Sequence, residues 1–591
     1  MEEYSLGKWN LSELADSPKS KSFQKQVSDL ENLAVKFEKR KTKLDHNMSS
    51  RQFLNILSDL EKISEKMSMI GGYASLSYSA DTQSDETTTL LTKISRLGSE
   101  ISNRILFFDL WWKTGIDEKN ARRLLKDTGD LAGYLAHKRL VAKHTLSEPE
   151  EKIINTLDVT GINALVKLYD KITNSFQYKM KVGGRTKTMT REEITNYVRS
   201  TRPKIREDAY KTILTKYAQN KGVTGEIYQN IVLNWKDEGI KIRGYDSPIS
   251  MRNTGNDVDD KTIESLLETC SKNAHVFQKF FVQKANMLKM KKLRRYDIYA
   301  PVKDIKEKKH PYAKSVKTVL ESLGRFSPIL GDMAKKVFVE KHIDSEIRHG
   351  KRDGAFCSTL SPNITPFVLV NFTGKTRDIF TLAHELGHAV HSQTAQDRSI
   401  LVQDASLPLA ETASTFSELL LYDFISDSIT EKEKKTVLAE KIDDLYATIM
   451  RQSFFTMFEV KAHEQIASGS TIDEISATYM QNLKKQFGES VSVPECFAIE
   501  WSCIPHFYHT PFYCYAYSFG NLLALSLFQR YKKEGNEFVP SYMSILAAGG
   551  SKKPEDLLAE HGFDIRKPTF WQNGFDYIAE QVNALSKIKQ A

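Results

Sequence analysis

Asp378-Ile379-Phe380-Thr381-Leu382-Ala383-His384-Glu385-Leu386-Gly387-His388-Ala389-Val390-His391 is the stretch on which the reading of this chain turns. It holds no Pro, and its apolar residues recur with a helical period. It therefore predicts a helix from about Thr376 to about Ala395, buried through Phe380, Leu382, Ala383, Leu386 and Val390. Residues four apart on a helix have Cβ atoms about 5 to 6 Å apart and lean the same way, so His384 and His388 can share one ion at about 2.0 to 2.1 Å. Two imidazoles at this spacing form half of a zinc site, and Glu385 between them supplies the base. Gly387 costs about 1 kcal/mol of helix propensity relative to Ala, which points to close packing or substrate approach there.

A catalytic zinc usually takes three protein ligands and leaves one position open. A glycine three residues and a histidine six residues after His388 would supply a third imidazole. The chain has His391 and Thr394 at those positions, which excludes that arrangement, and His391 reads as a packed, non-ligating residue. A downstream carboxylate is the better choice, and Asp404, Glu411 and Glu418 are available. Only the last two lie in a clear helical run, Leu409 to Leu421, with Pro408 suited to its first turn. They stand seven apart, two turns along one face, so Glu411 is assigned to zinc and Glu418 to bracing a ligating imidazole. One Zn2+ per chain is the expected cofactor.

These residues resemble the thimet-type zinc metallopeptidases and, within them, the oligoendopeptidase F group. His384-Glu385-Leu386-Gly387-His388, followed 23 residues after His388 by Glu411 in Ala410-Glu411-Thr412-Ala413-Ser414-Thr415-Phe416, is similar to that family's pair of ligand motifs. Arg243-Gly244-Tyr245-Asp246-Ser247-Pro248, Tyr296-Asp297-Ile298-Tyr299-Ala300-Pro301, Lys351-Arg352-Asp353-Gly354-Ala355-Phe356 and Asn371-Phe372-Thr373-Gly374 look like family segments in the expected order. So do Ile504-Pro505-His506-Phe507-Tyr508 and Ala547-Ala548-Gly549-Gly550-Ser551. The likeness runs from about Thr190 to the C-terminus. Upstream it rests on Trp9-Asn10-Leu11-Ser12 and a helical pattern. Asp353 departs from it, since a small residue is expected beside the substrate strand, and that bears on subsite preference.

Between His506 and Tyr517 the chain packs two imidazoles and four phenols into twelve residues. Peptide hydrolysis at zinc needs donors aimed at the oxyanion that develops on the attacked carbonyl, and Tyr hydroxyls or a His can supply them. The resemblance implies that His506, Tyr513 and Tyr515 face the substrate. Pro511 leaves the register open, with Tyr508 and His509 as substitutes and Tyr508 as a further substrate-binding residue. Gly354-Ala355-Phe356-Cys357 and Phe367-Val368-Leu369-Val370-Asn371 read as short strands ahead of the motif helix. An edge strand beside a metal site can pair with an extended peptide through main-chain hydrogen bonds. The resemblance implies that Gly354 and Ala355 do so.

Helical periodicity dominates elsewhere, as in Phe53-Leu54-Ile56-Leu57-Leu60-Ile63-Met67 and from Leu438 through Ala467. One hairpin is expected from Phe176 to Met189, turning at Gly183-Gly184, followed by a capping-box start at Thr190-Arg191-Glu192-Glu193. A boundary near residue 200 would separate an N-terminal helical region, 1–200, from a catalytic region, 201–591. The net charge of +9, from 84 basic and 75 acidic residues, is mild and mixed, and short runs such as Lys432-Glu433-Lys434-Lys435 read as solvated helix faces rather than a nucleic-acid site. Met1-Glu2-Glu3-Tyr4 lacks the basic and apolar regions of an export leader, and no 18-residue apolar span occurs, so no membrane association is expected. Five cysteines, an odd number without metal-ligand spacing, fit a reducing cytoplasm.

The expected fold is mainly α, with two helical lobes around a deep central cleft and a small β-sheet beside the zinc site. The expected function is zinc-dependent endopeptidase action on internal bonds of short unstructured peptides, with Glu385 taking the proton of the attacking water and passing it to the leaving amine. The chain has no G-x-S-x-G elbow and no cysteine in a nucleophile's setting. The alternatives are a metallocarboxypeptidase on a similar helical scaffold and a non-catalytic peptide-binding protein. The expected assembly is a monomer or weak homodimer.

Overall fold

The computed structural model describes residues 4–302, 309–426 and 428–588. Met1-Glu2-Glu3, part of the stretch read as lacking an export leader, lie outside the described residues. The fold is mainly α. Helices follow one another along the chain, and among the described residues the strands form only two two-stranded sheets and one three-stranded sheet. None of the described helices is long and apolar enough to cross a membrane.

The chain divides into two compact units, each assembled from three stretches: Met1–Thr145, Glu307–Ser428 and Leu527–Phe563 in the first, and Leu146–Lys306, Ile429–Ser526 and Asp564–Ala591 in the second. In the first unit, the helix Ser50–Ala80 starts with a capping box between Ser49 and Gln52 and buries Phe53, Ile56, Leu57, Leu60 and Ile63 on one stripe, as its period predicts. Phe53 stacks on Trp112 at 4.9 Å, and the Trp112 indole N–H, fully buried, donates to the Leu135 carbonyl. The same core continues through Leu360, Phe367, Leu369 and Val402, beneath the three-stranded sheet.

That sheet orders Ile343–Asp344, Phe367–Leu369 and Phe356–Ser358, with the first pair parallel and the second antiparallel, so Phe356–Ser358 is an edge strand. The loop feeding it is anchored from below. Lys351, almost fully buried, donates to the carbonyls of Asp344, Glu346 and Val370 and pairs with Asp344 at 2.8 Å. Three carbonyls and one carboxylate satisfy an ammonium that burial alone would push toward neutrality.

In the second unit, the hairpin Tyr178–Val182 and Arg185–Met189 turns at Gly183 and Gly184, both at positive φ, and Thr190 with Glu193 forms the capping box that follows. Leu438 through Ala467 is helical throughout, with a π-helical turn at Tyr446–Met450 between Glu431–Leu445 and Arg451–Ala467. Three buried ion pairs lie here: Arg206 with Asp297 at 2.6 Å, Arg295 with Glu500 at 2.5 Å and Lys284 with Asp443 at 2.5 Å.

Candidate active site

The motif helix runs Thr376–Thr394. Its start is fixed by Asp378, whose Oδ2 accepts from the backbone N–H of Thr373 and Lys375 and from the Thr373 hydroxyl. Ile379, Leu382, Ala383, Leu386 and Val390 bury one face, and the opposing rows carry His384 and His388, both half-buried. Gly387 marks a close approach: a Cβ there would lie 2.5 Å from Ser414 Cα and 2.6 Å from the Ala413 carbonyl. The absence of a side chain lets the helix Thr412–Ser426 pack directly on the motif helix.

Leu409 to Leu421 is not one continuous helix. A short helix, Leu407–Ala410, carries Pro408 in its first turn and stops at Glu411, which sits at a turn before Thr412–Ser426 begins. The break turns the Glu411 carboxylate toward the imidazoles. Its Oε2 lies 3.3 Å from His384 Nε2 and 3.6 Å from His388 Nε2, and it accepts from the Ser414 hydroxyl at 2.9 Å. Glu418, two turns further, places Oε1 2.7 Å from His384 Nδ1, and His388 makes a backbone hydrogen bond to Ala410. One nitrogen of each ring is thus already engaged, and the Nε2 atoms converge on Glu411.

Among the described residues, His384, His388 and Glu411 form a group whose ligand atoms all lie within 4.8 Å of one another. Four tetrahedral ligands at zinc distances stand about 3.3 Å from one another, so the separations of 3.3 and 3.6 Å, and the two-imidazole, one-carboxylate donor set, fit a zinc ion. Asp404 and His391 are not part of this group. His391 is buried, and burial, with His388 adding to it, lowers its pKa to about 4.

The electrostatics follow from this convergence. Burial alone would lower His384, but Glu411 and Glu418 overrule it and hold its pKa well above the ordinary imidazole value. For Glu411 burial acts upward, and the two imidazoles with Ser414 outweigh it, bringing the carboxyl down to about 2. His388 is lowered to about 4 by burial and by its neighbour His384. Glu385 is 6% exposed, and burial pushes its carboxyl up to about 7. A cation held by the three neighbouring ligands acts in the opposite sense.

In the same unit the edge strand Phe356–Ser358 packs on the motif helix, and Thr359 hydrogen-bonds Ser392 at 2.5 Å. Gly354, exposed and at φ +80°, and Ala355, half-buried, enter this strand. The Asn371 amide donates to the carbonyls of both Arg352 and Gly354, which fixes the turn that carries the exposed Asp353.

The aromatic segment lies in the second unit. His506, on the helix Pro505–His509, and Tyr513 are half-buried with their rings 5.9 Å apart. Tyr517 joins them, 5.3 Å from Tyr513, with its hydroxyl 3.4 Å from His506 Nε2. Sequence reading did not single out Tyr517. Its signal is a spacing of four from Tyr513 across the start of the helix Tyr515–Glu534. Tyr515 is fully buried and its hydroxyl accepts from the Asn256 amide at 2.7 Å. Tyr508 is also buried, stacked on Tyr169 at 3.6 Å with its hydroxyl donating to the Thr224 carbonyl. His509 is exposed and pairs with Asp170 at 2.7 Å.

The model of peptidase family M3 matches residues 196–577, and an oligopeptidase F model matches residues 114–178. An oligoendopeptidase F homolog of Borreliella burgdorferi is 29% identical over 604 residues, covering 99% of this chain and 98% of that protein. The chromosomal oligoendopeptidase F of Lactococcus lactis subsp. cremoris is 26% identical over 549 residues, 91% of this chain and 90% of the relative. In fold, the crystal structure of oligoendopeptidase-F from Enterococcus faecium superposes with a TM-score of 0.71 at 20% identity, covering 96% of this chain and 98% of the other.

Proposed function

The chain belongs to peptidase family M3 and is a peptidase of the metalloendopeptidase kind, and from that premise we propose that it cleaves internal bonds of short unstructured peptides with zinc held by His384, His388 and Glu411. The observation that carries the metal assignment is the convergence of two Nε2 atoms and one carboxylate oxygen at zinc-compatible separations. Bound there, zinc supplies Lewis acidity toward water and toward the scissile carbonyl.

The protein's own groups do the rest. Glu385, directly after the first histidine on the helix, takes the proton of the attacking water and delivers it to the leaving amine. Glu418 holds the His384 ring by its Nδ1 side, so that Nε2 stays directed at the ligand position. Gly354 and Ala355 lead into an edge strand, which suits main-chain pairing with an extended peptide. His506, Tyr513 and Tyr515 are assigned as donors toward the developing oxyanion, and Tyr508 to substrate binding. All these residues fall within the proposed catalytic region, 201–591. The deep cleft and the resulting size limit on substrates belong to the same proposal. Five cysteines without a disulfide support action in a reducing cytoplasm, and the assembly is taken as a monomer or weak homodimer.

The relatives' names favour internal cleavage over removal of C-terminal residues. Digestion of one decapeptide in free and C-terminally amidated form, with products read by mass spectrometry, tests this. Internal products from both forms are expected. Stepwise loss of single residues from the free form alone would replace this reading with a carboxypeptidase.

A further inference from the structure

Phe512 is fully buried and its φ is +59°, the left-handed region that a bulky L-residue occupies only when its surroundings hold it there. The holding groups come from helices of the same unit. The Phe512 N–H donates to Glu459 Oε1 at 2.9 Å, from the helix Arg451–Ala467. One turn along, His463 lays its ring against Phe512 with centroids 4.5 Å apart. Arg252 Nε donates to the Pro511 carbonyl at 3.0 Å while its guanidinium lies over Trp235. The residue that leaves this turn is Tyr513, half-buried, stacked with His506 and in edge contact with Tyr517.

Glu459 does something here that an apolar side chain of equal volume cannot. It is 1% exposed, its Oε1 accepts one backbone N–H, and its Oε2 has no hydrogen-bond partner among the described residues. Both ring nitrogens of the neighbouring His463 are likewise buried without a partner. Burial pushes the Glu459 carboxyl up to about 8, so at neutral pH it stands as an uncharged acid with one acceptor oxygen in use. An amide has the same shape and the same acceptor, whereas a leucine lacks it.

We propose that Glu459 is a positioning residue: by accepting the Phe512 N–H it fixes the left-handed turn at Pro511–Phe512 and so sets the direction in which Tyr513 leaves it. The inference rests on the assignment of Tyr513 to the substrate, and it places a determinant of that residue's geometry in a buried acid on the helix Arg451–Ala467. Arg252 and His463 complete the clamp by holding the preceding carbonyl and the Phe512 ring.

The test uses the zinc-loaded full chain as wild type, Glu459→Gln, Glu459→Leu, Tyr513→Phe and the double variant Glu459→Leu/Tyr513→Phe, with kcat and KM measured separately on one blocked peptide. Glu459→Gln is expected to keep kcat within about 2-fold, and Glu459→Leu to lose about 10-fold or more in kcat with little change in KM. The double variant should fall no further than Tyr513→Phe, because the acid acts through that tyrosine. Wild-type kcat in Glu459→Leu, or fully multiplicative losses in the double variant, would overturn the proposal. Hydrogen exchange at the Phe512 amide gives a reading without activity and without any variant: slow exchange in the wild type is expected, and rapid exchange there would also overturn it. A wild type that cleaves no peptide while its Phe512 amide is protected would defeat the peptidase reading and leave the clamp standing.

Discussion

His384 and His388 differ in what sits behind them, and that difference decides how firmly each can hold a metal. The carboxylate of Glu418 stands behind His384 Nδ1, whereas His388 relies on a backbone hydrogen bond to Ala410. Glu418→Ala is therefore expected to weaken zinc affinity about 10 to 100-fold, measured by competition with a chelator; unchanged affinity would show that the brace is not needed. Glu459 makes a second prediction at this scale. Its folded pKa of about 8 lies above the ordinary 4.5, so the unfolded chain releases its proton first as pH rises. Stability from this group is present below about pH 4.5 and is lost between there and about pH 8, by up to about 1.4 kcal/mol per pH unit. Glu459→Gln removes that loss, so denaturant unfolding should show the variant gaining on the wild type from pH 5 to pH 8; parallel curves would contradict it. The H-E-x-x-H pair and Glu411 were legible in the sequence because helical spacing and a short downstream interval bring them together. Tyr517 was not singled out, because the left-handed turn at Phe512 sets which phenols cluster with His506, and a phenylalanine gives no local signal for positive φ.

Between elements, the decisive contact is the approach of the motif helix to Thr412–Ser426 at Gly387. Gly387→Ala would put a Cβ within 2.6 Å of backbone on the neighbouring helix. The helices must separate, at a cost of about 1 to 3 kcal/mol, and Glu411 then moves relative to the imidazoles. Thermal unfolding and zinc affinity should both fall; a variant unchanged in both would refute the close-packing account. The sequence announced this helix, the hairpin at Gly183-Gly184 and the short strands, because each carries its own period or turn residues. It also read Leu409 to Leu421 as one helix. The interruption at Glu411 goes with the tertiary approach of its carboxylate to the two histidines, which local propensity does not encode. The edge position of Phe356–Ser358 likewise depends on pairing with Phe367–Leu369, which is only known once the sheet is assembled.

At the scale of the whole molecule, each compact unit gathers three separated stretches of chain. In the first unit, Gly133 lies so close to Ser551 that any side chain would collide with its carbonyl, and in the second, the Tyr169 hydroxyl donates to the Ser502 carbonyl. Contacts between residues hundreds of positions apart leave no periodic trace, so this interleaving was hidden in the sequence while the helical class was plain. The proposed size limit is checked by comparing a quenched ten-residue peptide with a stable folded protein that contains the same segment. Cleavage of the peptide alone is expected, and comparable turnover of the folded protein would remove the size limit. Zinc content and cleavage of a doubly blocked peptide, measured for wild type and Glu385→Gln in parallel, decide whether the protein is a zinc endopeptidase with Glu385 as base. One zinc per chain is expected in both proteins, with internal cleavage reduced by about 10²- to 10⁴-fold in the variant. Equal zinc with equal cleavage, or cleavage that survives complete removal of metal, would contradict it.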